Sequence, residues 1–232
     1  MSPDDSGQLL DAFDEHLEAQ DLSAARACLR ALSELHGADH PEVLHARARL
    51  CWLEHGADAA RGLLERVIEL DPQHADAHYD LGCCAEELGD QAQMVRCFLR
   101  VRALDAEDDK YSDIGHAADV DHIERVAREV LDGLPEMFAR RLGHVPVLIE
   151  RRPSRALVED GFDPRAFGLF EGPTDSMRDT VAPTRIVLFV CNLLAAFPSD
   201  PELSEQIEVT LLHEIGHFFG LDEEQLLELG LD

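Results

Sequence analysis

Lysine is nearly missing from this chain. Lys110 is the one lysine among 20 basic residues, and 48 acidic residues bring the formal net charge to −28. Nucleic acid and anionic membrane surfaces are recognised through clustered positive charge, so neither is an expected partner, whereas a basic peptide is. The lysine shortage itself reads as the codon bias of a GC-rich genome and carries no functional weight. Long apolar runs are missing too: none approaches the ~18 residues of a membrane span. The acidic start Met1-Ser2-Pro3-Asp4-Asp5 lacks the apolar stretch of a secretory signal, so the expected location is cytoplasmic. Cys28, Cys51, Cys83, Cys84, Cys97 and Cys191 show no CxxC spacing, and most fall at core-like helical positions. They are expected as reduced, buried thiols and not as a disulfide or metal framework.

What is present divides the chain in two. From about residue 8 to 105 the pattern is helix after helix. The run Ala24-Ala25-Arg26-Ala27-Cys28-Leu29 lies over Ala59-Ala60-Arg61-Gly62-Leu63-Leu64, a period of about 35 residues. The best copy starts at Ala75, with Leu81-Gly82, Gly89 at the inter-helix turn and Phe98 in the second helix; Pro72 follows Leu70-Asp71. In these residues the sequence resembles the tetratricopeptide repeat family, with His78 in place of the usual Trp and Met94 in place of a small residue. Two copies are clear and a degenerate third is expected over Gln8 to Leu35. Small residues (Ala48, Gly82) are placed where helices approach and large ones (Leu64, Phe98) between neighbours, so such an array is stable only when stacked. The resemblance implies a groove that takes a protein or peptide, and the acidity favours a basic one. The alternative is a scaffold that only packs on the second domain. His74 and His78, four apart, have no intervening Glu and are expected as a surface pair.

The acidic stretch Asp105-Ala106-Glu107-Asp108-Asp109-Lys110, continuing to about Ala118, lacks periodicity and reads as a linker. The expected domains are 1–107 for the repeats, 108–118 for the linker and 119–232 for a second domain. In that last part Asp119 or Asp121 caps an amphipathic helix with Ile123, Val126, Val130, Leu131, Leu134 and Phe138 on one face, and Pro135 kinks it or starts another. Val145 to Glu150 reads as a strand with Pro146 at its start or edge. Arg151 to Thr184 reads as loop, broken by Gly161, Pro164, Gly168, Gly172, Pro173 and Pro183. Arg185 to Val190 is the best strand, and if it is an edge it could pair with an extended substrate. Asp200-Pro201 then starts a long helix, with Asp as the cap.

That helix carries His213-Glu214-Ile215-Gly216-His217. Histidines four apart lie about 40° apart around the axis, so both can reach one metal ion while Glu214 leans over the same site. This is the HExxH arrangement of zinc peptidases. Zinc takes neutral imidazoles, a third protein ligand and a water whose proton a nearby carboxylate can remove. Ile207, Val209, Leu211, Leu212, Ile215, Phe218 and Phe219 surround the triplet, so the plain alternative, a solvated helix rich in His and Glu, fits poorly. Gly220 ends the helix and turns the chain towards a third ligand. The metzincin spacing places that ligand at Glu223; a ligand on the next helix would be Glu224. Asp222 or water remains for the rest, although Asp222 with Gln225 also forms a capping box.

From about Val120 to Gly230 the sequence resembles the small bacterial zincin-like metallopeptidases, sometimes called minimal zincins. The carrying motifs are LPEMFARRLGHVPVLIE, FGLFEG as a turn, PTRIVLF and VTLLHEIGHFFGLDEEQL. The resemblance implies a zinc-binding hydrolase fold, with His213 and His217 as ligands and Glu214 as base. The expected class is α+β overall: an all-α repeat solenoid, then a small α+β zincin-like domain. The expected function is a zinc-dependent metallopeptidase whose repeats recruit a substrate or partner. The rival is a non-enzymatic adaptor whose zincin domain is inactive. It draws on the absence, beyond Glu224, of a Tyr or His to assist an oxyanion, for which Arg185 is a substitute, the plain alternative for it being a solvated strand end.

Overall fold

The structure is a computed structural model that describes residues 3–143, 145–174 and 184–231, with the side chains of residues 3–5 left aside. It divides into two compact units. The first holds the residues up to Asp105 together with Val158–Gly161; the second holds Ala106–Leu157 and Phe162 onward.

The first unit is built of helix pairs: α1 (Pro3–Glu18) with α2 (Leu22–His36), α3 (Pro41–His55) with α4 (Ala57–Leu70), and α5 (Ala75–Glu87) with α6 (Gln91–Tyr111) as far as Asp105. The degenerate first copy is thus a full pair, anchored by the buried Phe13, Leu17 and Ala25. Ala48 and Leu64 meet in the next core cluster. At Gly82 an added Cβ would stand 2.4 Å from Phe98 Cε1, so the large residue seats only because that position carries no side chain. Repeat register also shows in polar links between first helices. His45 Nε2 lies 2.8 Å from Asp80 Oδ2, Trp52 Nε1 donates to Glu87 Oε2 at 2.9 Å, and Arg49 pairs with Asp14; each link spans 35 residues, one repeat. Equivalent positions on the first helices of consecutive repeats therefore face one another. Val158 closes a small cluster with Ala85, Met94 and Phe98.

The stretch expected as irregular linker is helical as far as Tyr111. The periodicity is hidden there because an inward position is charged: Asp109, 3 % exposed, accepts from Arg152 Nε at 2.9 Å and Arg152 Nη2 at 2.6 Å. A buried carboxylate is tolerated when a guanidinium grips both its oxygens.

In the second unit α7 (Ala117–Gly133) starts earlier than Asp119. His116 is its cap, and Asp119 sits three positions in, accepting the amides of Gly115 and His116. Pro135 opens the separate α8 (Glu136–Leu142). The strands are β1 (Val147–Glu150), β2 (Gly168–Glu171) and β3 (Arg185–Phe189), with α9 (Arg155–Glu159) between the first two. Then come α10 (Val190–Ala196), α11 (Asp200–Phe219) and α12 (Glu223–Glu228). The cap of α11 is Ser199, one residue before the expected Asp200.

The sheet order is β1-β3-β2, with β1 parallel and β2 antiparallel to β3. The condition for β3 to pair with a substrate, that it be an edge, is not met: β3 is central, buried on both faces, which is why it reads as a continuous apolar run. Its Ile186 and Leu188 pack with Ile123 and Val126 of α7 and with Ile207, Leu211 and Ile215 of α11. The stretch from Arg151 to Thr184 is also less irregular than its sequence suggests, since Gly168, a breaker by composition, opens β2. Pro183 and His144 fall outside the described residues. No helix among the described residues is long and apolar enough to cross a membrane.

Candidate metal centre

α11 buries Leu203, Ile207, Leu211, Ile215 and Phe218 on the sheet side and leaves His213 and His217 half-buried. The two Nε2 atoms face each other at 3.0 Å. Each Nδ1 faces a backbone carbonyl: that of Leu231 for His213, and that of Leu221, at 3.2 Å, for His217. A ring whose Nδ1–H donates to a carbonyl is the tautomer with a bare Nε2. Two bare nitrogens at van der Waals contact repel each other unless a cation lies between them. Donors held by one tetrahedral zinc are separated by about 3.3 Å, close to the spacing here.

Gly220 adopts the left-handed conformation (φ 86°, ψ 20°) and reverses the chain. The return places Glu223 over the imidazoles, with Oε1 3.2 Å from His217 Nε2 and Oε2 3.6 Å from His213 Nε2. Among the described residues His213, His217 and Glu223 form a group able to hold a metal; Glu224 is not in it. Asp222 accepts from the Gln225 amide at 3.0 Å, and the Gln225 side chain accepts the Asp222 amide at 3.0 Å, so Asp222 caps α12. The donor set of two neutral imidazoles and a carboxylate suits zinc.

Glu214 is 7 % exposed. Burial pushes its carboxyl above the usual carboxylate range, while the neighbouring imidazoles and an amide hydrogen bond from Phe170 pull the other way. That amide belongs to β2, whose approach depends on Gly168: a Cβ there would stand 2.8 Å from Thr210 Cγ2 and 2.9 Å from Glu214 Oε1. Gly216 makes a matching approach possible on the far side, since its Cβ would meet Leu226 Cδ2 of α12 at 2.4 Å. Sequence reasoning missed Gly168 and Phe170; the FGLFEG motif held the signal, as a glycine inside a short apolar run.

A cavity of about 470 Å³ opens beside the imidazoles, walled by Phe162, Phe167, Leu169 and Val209, with Gln206 and Thr210 as further polar side chains. Its described lining contains no Tyr, Lys or Arg. Arg185 is absent from it, being paired with Glu171 on β2 and, at 3.8 Å, with Glu150. The oxyanion substitute offered by the sequence thus has another engagement.

The family model described as zincin-like metallopeptidase matches residues 142–231, and the model for the tetratricopeptide repeat matches residues 63–96. No curated protein matches the chain.

Proposed function

We propose that this chain, similar to zincin-like metallopeptidases over residues 142–231 and to the tetratricopeptide repeat over 63–96, is a zinc-dependent peptidase whose repeats recruit a protein substrate or partner. The observation that carries this reading is the convergence of His213 Nε2, His217 Nε2 and a Glu223 oxygen beside a buried Glu214 at the mouth of an apolar cavity. His213, His217 and Glu223 are the ligands and Glu214 the general base. Bound zinc supplies Lewis acidity and an acidified water. The carbonyls of Leu221 and Leu231 hold the imidazoles in the ligating tautomer. Phe170 N–H fixes one carboxylate oxygen of Glu214, leaving the other to take a proton from the attacking water and pass it to the leaving amine. β2, an edge strand among the described residues, is the one that can pair with an extended peptide along the cavity. In the repeats, the acidic surface prefers a basic peptide, and its affinity falls as salt rises.

A second reading, a metal-binding adaptor without turnover, is favoured by the cavity's lack of a cationic or phenolic donor for an oxyanion. A peptide-library cleavage assay on the zinc-loaded chain separates the two. Glu214→Gln is expected to keep the metal and to slow cleavage by about 10²- to 10⁴-fold. Cleavage by that variant at the wild-type rate overturns the mechanism, and no cleavage by either protein favours the adaptor. Glu223→Ala is expected to weaken zinc binding by more than about 10-fold, with Glu224→Ala close to wild type. The reverse result in a zinc titration would exchange their roles.

A further inference from the structure

A second group of histidines and carboxylates lies in the repeats. Glu42 and His45 on α3 and His74 at the start of α5 each offer one ligand atom, and these atoms lie within 4.8 Å of one another. The expectation that His74 is a surface residue is wrong, because it is 8 % exposed. His78 is not its partner; that ring's Nε2 lies 3.2 Å from the carbonyl of Pro72.

The buried ring of His74 is only half satisfied. Its Nδ1 accepts the Ala77 amide at 3.2 Å and so caps α5. Its Nε2 is buried with no partner within hydrogen-bond range; the Glu42 carboxylate stands 3.7 Å away, at ion-pair distance, and against the burial that disfavours a charged ring it raises the His74 pKa, while His74 lowers that of Glu42. His45 stands edge-on, with ring centroids 4.6 Å apart, and Asp80 holds it at 2.8 Å. Leaving a buried ring nitrogen unpaired costs about 1–3 kcal/mol. The surroundings offer carboxylates and a second imidazole, which suit a cation.

We propose that Glu42, His45 and His74 form a divalent-cation site of the zinc type within the repeats, with Asp80 orienting His45. Two imidazoles and a carboxylate are a zinc-type donor set, and a carboxylate behind a ligating histidine raises its basicity. Filling the site moves a proton. While the cap is in place the His74 proton sits on Nε2. Coordination through Nε2 shifts that proton to Nδ1, with none released, and the hydrogen bond from Ala77 is given up. The site is therefore weaker than the α11 cluster, where both Nδ1 atoms already face acceptors.

The test is zinc stoichiometry on the full-length chain at a fixed excess of free zinc, for wild type, His74→Asn, Glu42→Gln and His217→Ala. Asparagine keeps a good capping side chain, so His74→Asn separates capping from ligation; Glu42 is exposed, so Glu42→Gln removes a ligand charge without opening the core. Both variants are expected to bind one zinc fewer than wild type, or to bind it at least 10-fold more weakly, whatever His217→Ala does. Nitrogen NMR of the wild-type chain is expected to show His74 changing from the Nε2–H to the Nδ1–H form as zinc is added. Undiminished zinc in either variant, or an unchanged His74 tautomer at saturation, overturns the proposal. A loss confined to His217→Ala supports the α11 centre alone and counts against this one.

Discussion

Among the described residues the chain holds two clusters of nearly the same composition, and the backbone meets their histidines in opposite ways. In the α11 cluster both Nδ1 atoms look at carbonyls and both Nε2 atoms at one point. In the cluster of the repeats, His74 Nδ1 looks at an amide, and Nε2 has only the Glu42 carboxylate, 3.7 Å away. The difference comes from the backbone, not the side chains. A carbonyl beside Nδ1 prepares a ring for metal, whereas an amide there prepares it to cap a helix. The segment after Gly220 supplies the carbonyls of Leu221 and Leu231 as well as Glu223, so one short return of the chain builds most of the surroundings of the HExxH histidines.

The strongest way to break this comparison is to treat the pairs His74/His78 and His213/His217, each four apart, alike. His217→Ala is expected to lower zinc affinity at the α11 cluster by orders of magnitude and to abolish the dependence of the second unit's melting temperature on zinc. In wild type that dependence amounts to about 2.7 kcal/mol at a hundredfold excess over Kd. His78→Ala, at the same helical spacing from His74, is expected to change neither. Equal losses in a zinc titration of the two variants would mean that spacing alone, without the carbonyls, sets the site.

Two glycines sharpen it next. Gly216→Ala drives a methyl against Leu226 and pushes α12 away, with an expected loss of about 1–3 kcal/mol. Zinc affinity should fall with it, because Glu223 and the Leu231 carbonyl ride on that segment. Gly62, in the middle of α4, has nothing within 4 Å of an added Cβ. Gly62→Ala is expected to stabilise the repeats by about 0.5–1 kcal/mol through helix propensity. Chemical denaturation reads both, and a neutral Gly216→Ala would show that α12 does not seat as described.

What the sequence made legible follows from how local each signal is. The HExxH spacing, the 35-residue repeat, the apolar run of β3 and the Asp222 capping box are written within a few turns of chain, or by repetition of the same pattern. Features set by distant approach were not legible. Gly168 reads as a breaker until Glu214 is brought against it, and α6 reads as ending at an acidic run until Arg152 returns to pair with Asp109. His74 points to His78 by spacing, but its neighbours Glu42 and His45 come from the preceding repeat. β3 was recognisable as a strand, yet its place at the centre of the sheet depended on β2, which a glycine concealed.

The smallest effect concerns Asp222, which stands beside the proposed ligand and has the same chemistry. Its carboxylate bonds the Gln225 amide, and Gln225 reciprocates, so both groups are occupied in starting α12. Removing a cap of this kind costs about 1 kcal/mol, and Asp222→Ala is expected to lose that much in denaturation. α12 carries Leu226, fully buried against α11, and Glu223, so part of that loss should reach zinc affinity as a severalfold weakening. Asp222→Asn is the deciding variant. Asparagine caps about as well as aspartate but removes the charge, so stability and zinc affinity should both stay near wild type if Asp222 only caps. Should Asp222→Asn weaken zinc as strongly as Glu223→Ala while leaving stability intact, the carboxylate nearest the metal would be Asp222, and the capping box would belong to the metal-free chain alone.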